Sequence, residues 1–389
     1  MTPLLQPRPT RSLKHSCAFV ATSFGFGPVS KAVSIASEMK AQAPDLETHY
    51  FGAGIGYDYA QKSAAFDSLV KVDVDRHETL VSLLPQLAAY GAVFSVLNLD
   101  ILTLWRSDLP PLYFVDSLAW MWPSLPAGIG NAAVYFVQDY LLSRERIRDW
   151  SLACPLVLVA PIESVSSLEV PPEKVNRLLV NFAGCANPFA PSELYEKYGF
   201  ILTSSILEEA EQRYERIVFC CNEPLANYLR RSVGAASSVE FRHFAHDEFL
   251  QLLVSSQRVL SAPGITSTVE ALASQTDFGF LLPQNDSQAL ISERCRSQLG
   301  EESCMAFSRF GPEFYFPPFL PPGESVSLAL THLEKILSTR QPEIRSMIQS
   351  LLSLPTSYSI ANLRANTVNS WSGPGQQGIV SHFLSQTRM

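Results

Sequence analysis

Residues 258–274 read RVLSAPGITSTVEALAS. An apolar, strand-like run ends in Pro263 and Gly264, the hydroxyl residues Thr266, Ser267 and Thr268 follow, and Glu270 leads into an alanine-rich stretch of helical composition. Two readings of the turn are open. Thr266 or Ser267 can act as N-cap, with Glu270 in the first turn where a carboxylate suits the helix dipole. Alternatively, unshielded N–H groups at a helix start, beside a glycine and hydroxyls, form a cradle for an anion such as a phosphate. Either way the local element is strand, turn, helix, the building block of a parallel sheet.

The same element repeats along the chain. HSCAFVATS (15–23) precedes PVSKAVSIASEMK (28–40); then come THYFGAG (48–54), LVKVDV (69–74), RHETLVSLLPQLAAY (76–90), AVFSVLN (92–98), LYFVDS (112–117), VYFVQ (134–138) and LVLVAP (156–161). A polar, proline-bearing stretch, SVSSLEVPPEK (164–174), reads as a linker. The alternation restarts with RLLVNFAG (177–184) and runs through RIVFCCN (216–222), SVEFRHF (238–244), the opening segment and FGFLLP (278–283). FYFPPFLPPGESV (314–326) reads as a packed loop and SVSLALTHLEKILST (325–339) as a last helix. The expected plan is two α/β units, 1–165 and 175–355, with a tail, 356–389, whose helix-like run SIANLRANTVNSW returns to the first unit. Open parallel sheets bind ligands beyond the carboxyl ends of their strands, so two such units imply an interdomain cleft.

Composition narrows the classes. With 389 residues, 47% hydrophobic and 17% charged, the chain is a folded globular protein of two ordinary domains. The net charge of −8 arises from 37 acidic and 29 basic residues without a basic block, which argues against a nucleic-acid partner. Apolar runs such as ACPLVLVAPI (153–162) fall short of the roughly 20 residues of a membrane span. The proline-rich start, MTPLLQPRPTRSLK, lacks an apolar segment of its own and reads as a ragged tail, so a cytoplasmic protein is expected. Seven cysteines at no metal-ligand spacing point to buried thiols, and no metal requirement is expected. Oligomeric state is not legible.

Several strand ends carry chemistry. SFGFGPVSKA (23–32) places Gly25 and Gly27 in a strand-to-helix turn, with Lys31 one turn on. A dinucleotide site would also want an acid at the end of the second strand, but THYFGAG ends in small residues and Asp45 and Glu47 lie at its other end, which disfavours a dehydrogenase. NFAGCANPF (181–189) is again strand then glycine; Gly184 suits either a phosphate approach or a simple turn. His243, Phe244 and His246 follow a strand and can stack on a flat base or pack in a loop.

The run VEFRHFAHDEFLQLLVSSQRVLSAPGITSTVEALASQTDFGFLLPQNDSQ (239–288) resembles the nucleotide-sugar half of GT-B glycosyltransferases, notably plant-type UDP-glycosyltransferases and the N-acetylglucosaminyltransferase of peptidoglycan lipid-intermediate synthesis. The resemblance implies a GT-B fold, two Rossmann-like parallel-sheet domains facing a cleft, and a nucleotide-sugar co-substrate with no required cofactor. It further implies that Gly264 and Thr266, Ser267 and Thr268 bind the diphosphate, that Glu270 holds the ribose hydroxyls, that Asp286 and Gln288 read the sugar, and that the Phe244 segment lines the base. Two departures stand out. Ala262 occupies the place of a phosphate-contacting histidine or arginine, leaving Lys31 or Arg242 to supply charge, and Ser287 separates an acid and a glutamine that adjoin in the family. FGFGPVSKA is also similar to cytosylglucuronate and hydroxymethylcytosylglucuronate synthases of peptidyl-nucleoside antibiotic pathways.

Inverting sugar transfer wants a base at the acceptor and stabilisation of the departing diphosphate. The family's histidine in the first glycine loop is replaced here by Phe26 or Gly27. Asp116, at a strand end before Trp120 and Trp122, is the first candidate base for a planar acceptor, with capping and core packing as the competing reading. Asp139, after VYFVQ, is the second; His77 and Glu78 are a third but look like a helix start. The expected function is transfer from a UDP-sugar such as UDP-glucuronate to a small planar acceptor such as cytosine or hydroxymethylcytosine, with inversion. A nucleotide-sugar epimerase and a non-catalytic binding protein of the same shape are the alternatives.

Overall fold

The structure, a computed structural model, describes residues 15–23, 25–140, 143–165, 168, 171, 173–185, 189–234, 236–274, 276–299, 301–353 and 373–387. The N-terminal tail, the helix-like run 359–371 and parts of the linker lie outside these residues. The chain divides into two compact units, residues 1–162 with 373–389, and residues 163–372.

Unit 1 runs β1 (Ser16–Ala21), α1 (Gly27–Gln42), β2 (Glu47–Gly52), α2 (Gly54–Lys62), β3 (Ser68–Lys71), α3 (His77–Leu87), β4 (Ala92–Val96), α4 (Asp100–Leu104), β5 (Leu112–Asp116), β6 (Val134–Gln138), α5 (Ser143–Arg148) and β7 (Leu156–Val159). Its sheet is parallel throughout, in the order β3-β2-β1-β4-β5-β6-β7. Strands buried on both faces read as unbroken apolar runs, which is why SCAFVA and LYFVD lack polar alternation. On one face Phe19, Phe94, Tyr113 and Phe136 stack across four strands at centroid spacings of 5.1, 4.8 and 6.3 Å. Chain order reverses between β1 and β4, the point at which doubly wound sheets open a crevice.

Unit 2 runs β8 (Val175–Asn181), α6 (Ser192–Ala210), β9 (Arg216–Cys220), α7 (Glu223–Ser232), β10 (Val239–Arg242), α8 (His246–Ser255), β11 (Ser256–Ser261), α9 (Ile265–Ser274), β12 (Asp277–Phe280), α10 (Asp286–Leu299), α11 (Pro322–Thr339) and α12 (Gln341–Ser353). Its parallel sheet has the order β10-β9-β8-β11-β12, so β8 and β11 form its own reversal point. α11 starts three residues before the expected helix because Pro322 needs no N–H donor partner in a first turn. α12 was not expected as a separate helix; it buries Ile344, Met347, Ile348 and Leu351 at helical spacing.

A final helix, α13 (Gly375–Thr387), belongs to unit 1. Its Phe383 meets the rings of Phe94 and Tyr113 edge-on at 5.2 and 5.3 Å, and Gly375 N–H donates to the carbonyl of Pro161 at 3.0 Å.

Candidate functional site

At the reversal point of unit 2, the ends of β8, β11 and β12 are tied by buried amides. Asn181, the last residue of β8, donates from Nδ2 to Ser261 Oγ at 3.1 Å and Ser267 Oγ at 3.2 Å, and its Oδ1 accepts from Ala183 N–H at 2.9 Å. Gln284 Nε2 donates to the Phe182 carbonyl at 2.9 Å, and Gln284 N–H donates to Gln288 Oε1 at 2.9 Å. Sequence reading missed Asn181 and Gln284. Their signal was position alone, each lying within four residues of a strand end.

Between these braces the turn after β11 folds tightly. Gly264 N–H reaches the Ala262 carbonyl at 2.7 Å, and the Gly264 carbonyl accepts both Thr268 N–H at 2.9 Å and Thr268 Oγ1 at 2.7 Å. Gly264, Thr266 and Ser267 remain half-buried, whereas Thr268 is buried. Thr268 therefore departs from its expected place on the phosphate, because its hydroxyl proton is used within its own helix turn. A Cβ on Gly264 would meet only Ser267 Oγ, at an ordinary 3.6 Å. Internal packing does not demand a glycine here.

Glu270 points into the unit from the second turn of α9 and is 2% exposed. Its Oε1 lies 3.2 Å from Nε2 of His246, the first residue of α8, yet is not aligned as a hydrogen bond and has no hydrogen-bond partner among the described residues. Burial draws the His246 imidazole down, but the charges of the Glu270 and Asp247 carboxylates outweigh it and hold it above its ordinary value. A buried carboxylate oxygen without a full complement of donors suits a hydroxyl ligand.

The other expected donor-side residues divide. Asp286 opens α10; burial raises its carboxyl above the ordinary range, against hydrogen bonds from Ser287 N–H and the Ser325 hydroxyl. Gln288 spends its carbonyl on Gln284. Phe244 is buried, and the Arg242 guanidinium lies 4.3 Å from its ring centroid, covering one face of the expected base platform. Arg242 itself pairs with Glu248 at 2.8 Å, which draws it away from the expected phosphate. His243 is half-buried between β10 and α8. Gly184 is buried between two non-glycine residues in left-handed conformation, Ala183 (φ 54°) and Cys185 (φ 38°), and its carbonyl accepts Asn222 Nδ2 at 2.7 Å. That geometry is a braced turn. Strain of this kind collects at functional corners.

In unit 1, Gly25 has φ 73°, a conformation that glycine adopts without cost, and α1 starts at Gly27 without a side-chain cap. Lys31 is 2% exposed and donates to the Gly27 carbonyl at 3.2 Å, so its ammonium is held in its own first turn and not offered to a diphosphate. β2 starts at Glu47 and ends at Gly52.

Both expected bases are engaged. Asp116 is fully buried and accepts Leu118 N–H at 2.5 Å, Trp122 Nε1 at 2.8 Å and Tyr135 Oη at 2.6 Å. Burial raises its carboxyl despite these donors. The competing reading, a strand-end cap over a tryptophan core, describes this geometry, and the assignment of Asp116 as base is corrected accordingly. Asp139 pairs with Arg144 through Nε at 2.7 Å and the second nitrogen at 2.5 Å. His77 and Glu78 form the exposed first turn of α3.

Among the described residues no group of three or more His, Cys, Asp or Glu side chains could hold a metal ion, and no helix is long and apolar enough to cross a membrane.

No protein-family model matches the chain, and no curated protein does. Solved structures do. The chain is similar to UDP-glucose:anthocyanidin 3-O-glucosyltransferase in complex with UDP (TM-score 0.54, 11% identity, 97% of this chain and 99% of that one). It is similar to Arabidopsis thaliana UGT89C1 complexed with UDP (TM-score 0.59, 11% identity, 96% and 99%). It is also similar to Phytolacca americana UGT2 complexed with UDP-2-fluoro-glucose and pterostilbene (TM-score 0.53, 12% identity, 96% and 100%). Two parallel-sheet units in this arrangement of strands have the GT-B fold of UDP-glycosyltransferases.

Proposed function

We propose that this protein is a glycosyltransferase that moves a sugar from a UDP-sugar, such as UDP-glucuronate, to a small planar acceptor such as cytosine or hydroxymethylcytosine, with inversion, as in nucleoside natural-product biosynthesis. The observation that carries the reading is the corner at residues 261–270: a half-open glycine turn at a helix start with a buried Glu270 oxygen short of donors behind it. Structures of the same fold hold UDP, UDP-L-rhamnose and quercetin. In this proposal the first N–H groups of α9 and the Ser267 hydroxyl bind the diphosphate, and Glu270 accepts the ribose hydroxyls. Asp286 and the Gln288 amide group face the sugar.

The chemistry follows from charge. As the sugar's anomeric carbon leaves the diphosphate, negative charge builds on the departing oxygen, and fixed N–H dipoles at the helix start stabilise it without reorganising. Ala262, with Arg242 and Lys31 held elsewhere, leaves this duty to backbone dipoles rather than a side-chain cation. That feature also keeps alive a binding protein without turnover.

Calorimetric titration of the purified chain with UDP, CDP, GDP, UDP-glucuronate, UDP-glucose and NAD tests the reading. UDP-selective binding that tightens with the sugar attached is expected, followed by UDP release when cytosine is added. Binding to NAD alone, or to none of these, overturns it. Turnover of the donor without an acceptor would favour the epimerase.

A further inference from the structure

With Asp116 enclosed and Asp139 paired, the acceptor's proton needs another destination. The structure assigns it to Asp75, in the loop after β3; this assignment rests on the transferase reading above. Asp75 is exposed, and its two oxygens each take one donor from the end of β1: Oδ1 accepts Thr22 Oγ1 at 2.7 Å and Oδ2 accepts Ser23 N–H at 2.9 Å. Each oxygen keeps a lone pair available.

The place matters as much as the group. Thr22 N–H donates to the Val96 carbonyl at the end of β4, and Asn98 Nδ2 donates to the Val74 carbonyl beside Asp75. These bonds draw the loop after β3 over the ends of β1 and β4, the reversal point where a doubly wound sheet receives its ligand. Leu97, at the same point, is held at φ 60°, a left-handed conformation costly for a branched side chain. Close by, the Tyr50 hydroxyl is buried without a hydrogen-bond partner among the described residues. A reversal point of the sheet, a strained residue, a buried hydroxyl and an exposed carboxylate fixed by two donors together describe a site.

The step balances simply. The acceptor's N–H or O–H gives its proton to the Asp75 carboxylate while the freed lone pair forms the bond to the anomeric carbon. The anomeric carbon–oxygen bond breaks, and its electron pair leaves with the nucleoside diphosphate. The proton then passes from Asp75 to water.

The test is UDP release from UDP-glucuronate, with cytosine and with water as acceptor, by the full chain and by Asp75→Asn and Asp75→Glu. General-base loss predicts a fall in kcat of about 10²–10⁴-fold in Asp75→Asn, with KM for the donor within about twofold. Asp75→Glu, which restores a carboxylate at a longer reach, recovers part of it. The asparagine can still accept the Thr22 hydroxyl, so loss in that variant with recovery in the glutamate separates proton transfer from loop holding. Unchanged kcat in Asp75→Asn overturns the assignment, as do equal losses in both variants. If the unaltered protein binds no UDP, the transferase reading itself has failed, and calorimetry shows that independently of Asp75.

Discussion

Two glycine corners of this molecule look alike in sequence and differ in what they need. Gly25, after β1, sits at φ 73° with no atom within 4 Å of a would-be Cβ; Gly264, after β11, lies outside the left-handed region, with Ser267 Oγ at 3.6 Å. The backbone itself requires the first glycine. Among the described residues nothing requires the second, so its lack of a side chain is better explained by what approaches from outside. The bracing differs in the same sense. Unit 2 fixes its corner with buried amides, Asn181 and Gln284, whereas unit 1 fixes its corner with an exposed carboxylate, Asp75. A corner braced by buried neutral groups is suited to hold a ligand, and one braced by an exposed charge is suited to exchange a proton.

The largest expected effect lies at a strand end with neither role. Asp116→Ala strands the buried Tyr135 donor and the half-buried Trp122 donor and should cost about 3 kcal/mol or more in urea unfolding. UDP affinity in calorimetry should stay within about twofold, since Asp116 touches only its own unit. Glu270→Ala comes next: losing a charged acceptor for ribose hydroxyls, about 1.5–3 kcal/mol, should weaken UDP binding roughly ten- to a hundredfold. Full affinity in that variant would remove the ribose assignment.

The two glycines supply the sharpest contrast. Gly264→Ala should leave the unfolding midpoint nearly unchanged, or raise it slightly by stiffening the unfolded chain by about 0.4–1 kcal/mol, while UDP affinity drops about tenfold. Gly25→Ala should behave oppositely, losing about 1–2 kcal/mol of stability through the left-handed conformation with UDP affinity preserved. Equal behaviour of the two variants would dissolve the distinction between the corners.

The smallest effect is a pH slope. His246 is held above its ordinary value of 6.5 in the folded chain. Its contribution to stability is therefore complete below 6.5 and is lost as pH rises through the raised folded value. Urea midpoints should decline over that window, and Glu270→Gln should flatten the decline. A midpoint independent of pH there would argue that the imidazole and carboxylate are uncoupled.

Much of the plan was legible before any coordinates. Alternating buried runs and helical segments betray parallel sheets, because strands covered on both faces cannot afford polar alternation and crossovers need amphipathic helices. The corner at PGITSTVE was legible for a related reason: glycine, hydroxyls and a carboxylate beside a strand end follow from what a helix start can bind. Direction was not. Asn181 reaching Ser261 and Ser267, Gln284 reaching the Phe182 carbonyl, and His246 lying beside Glu270 depend on partners that only folding brings near.

The carboxylates show the boundary most clearly. By itself the sequence determined that Asp116 and Asp139 each fall at or just after the carboxyl end of a strand, since strand length and turn chemistry are local properties, whereas Asp75 passed unremarked. Only the tertiary structure decided that Asp116 is enclosed by three donors, two from the loop after its own strand and one from a neighbouring strand, that Asp139 pairs with Arg144, and that Asp75 stays exposed over the ends of β1 and β4. Tyr135 reaches Asp116 from the next strand, and Thr22 and Ser23 reach Asp75 from more than fifty residues away; such distant partners, together with burial, decide whether a carboxylate is open to a proton.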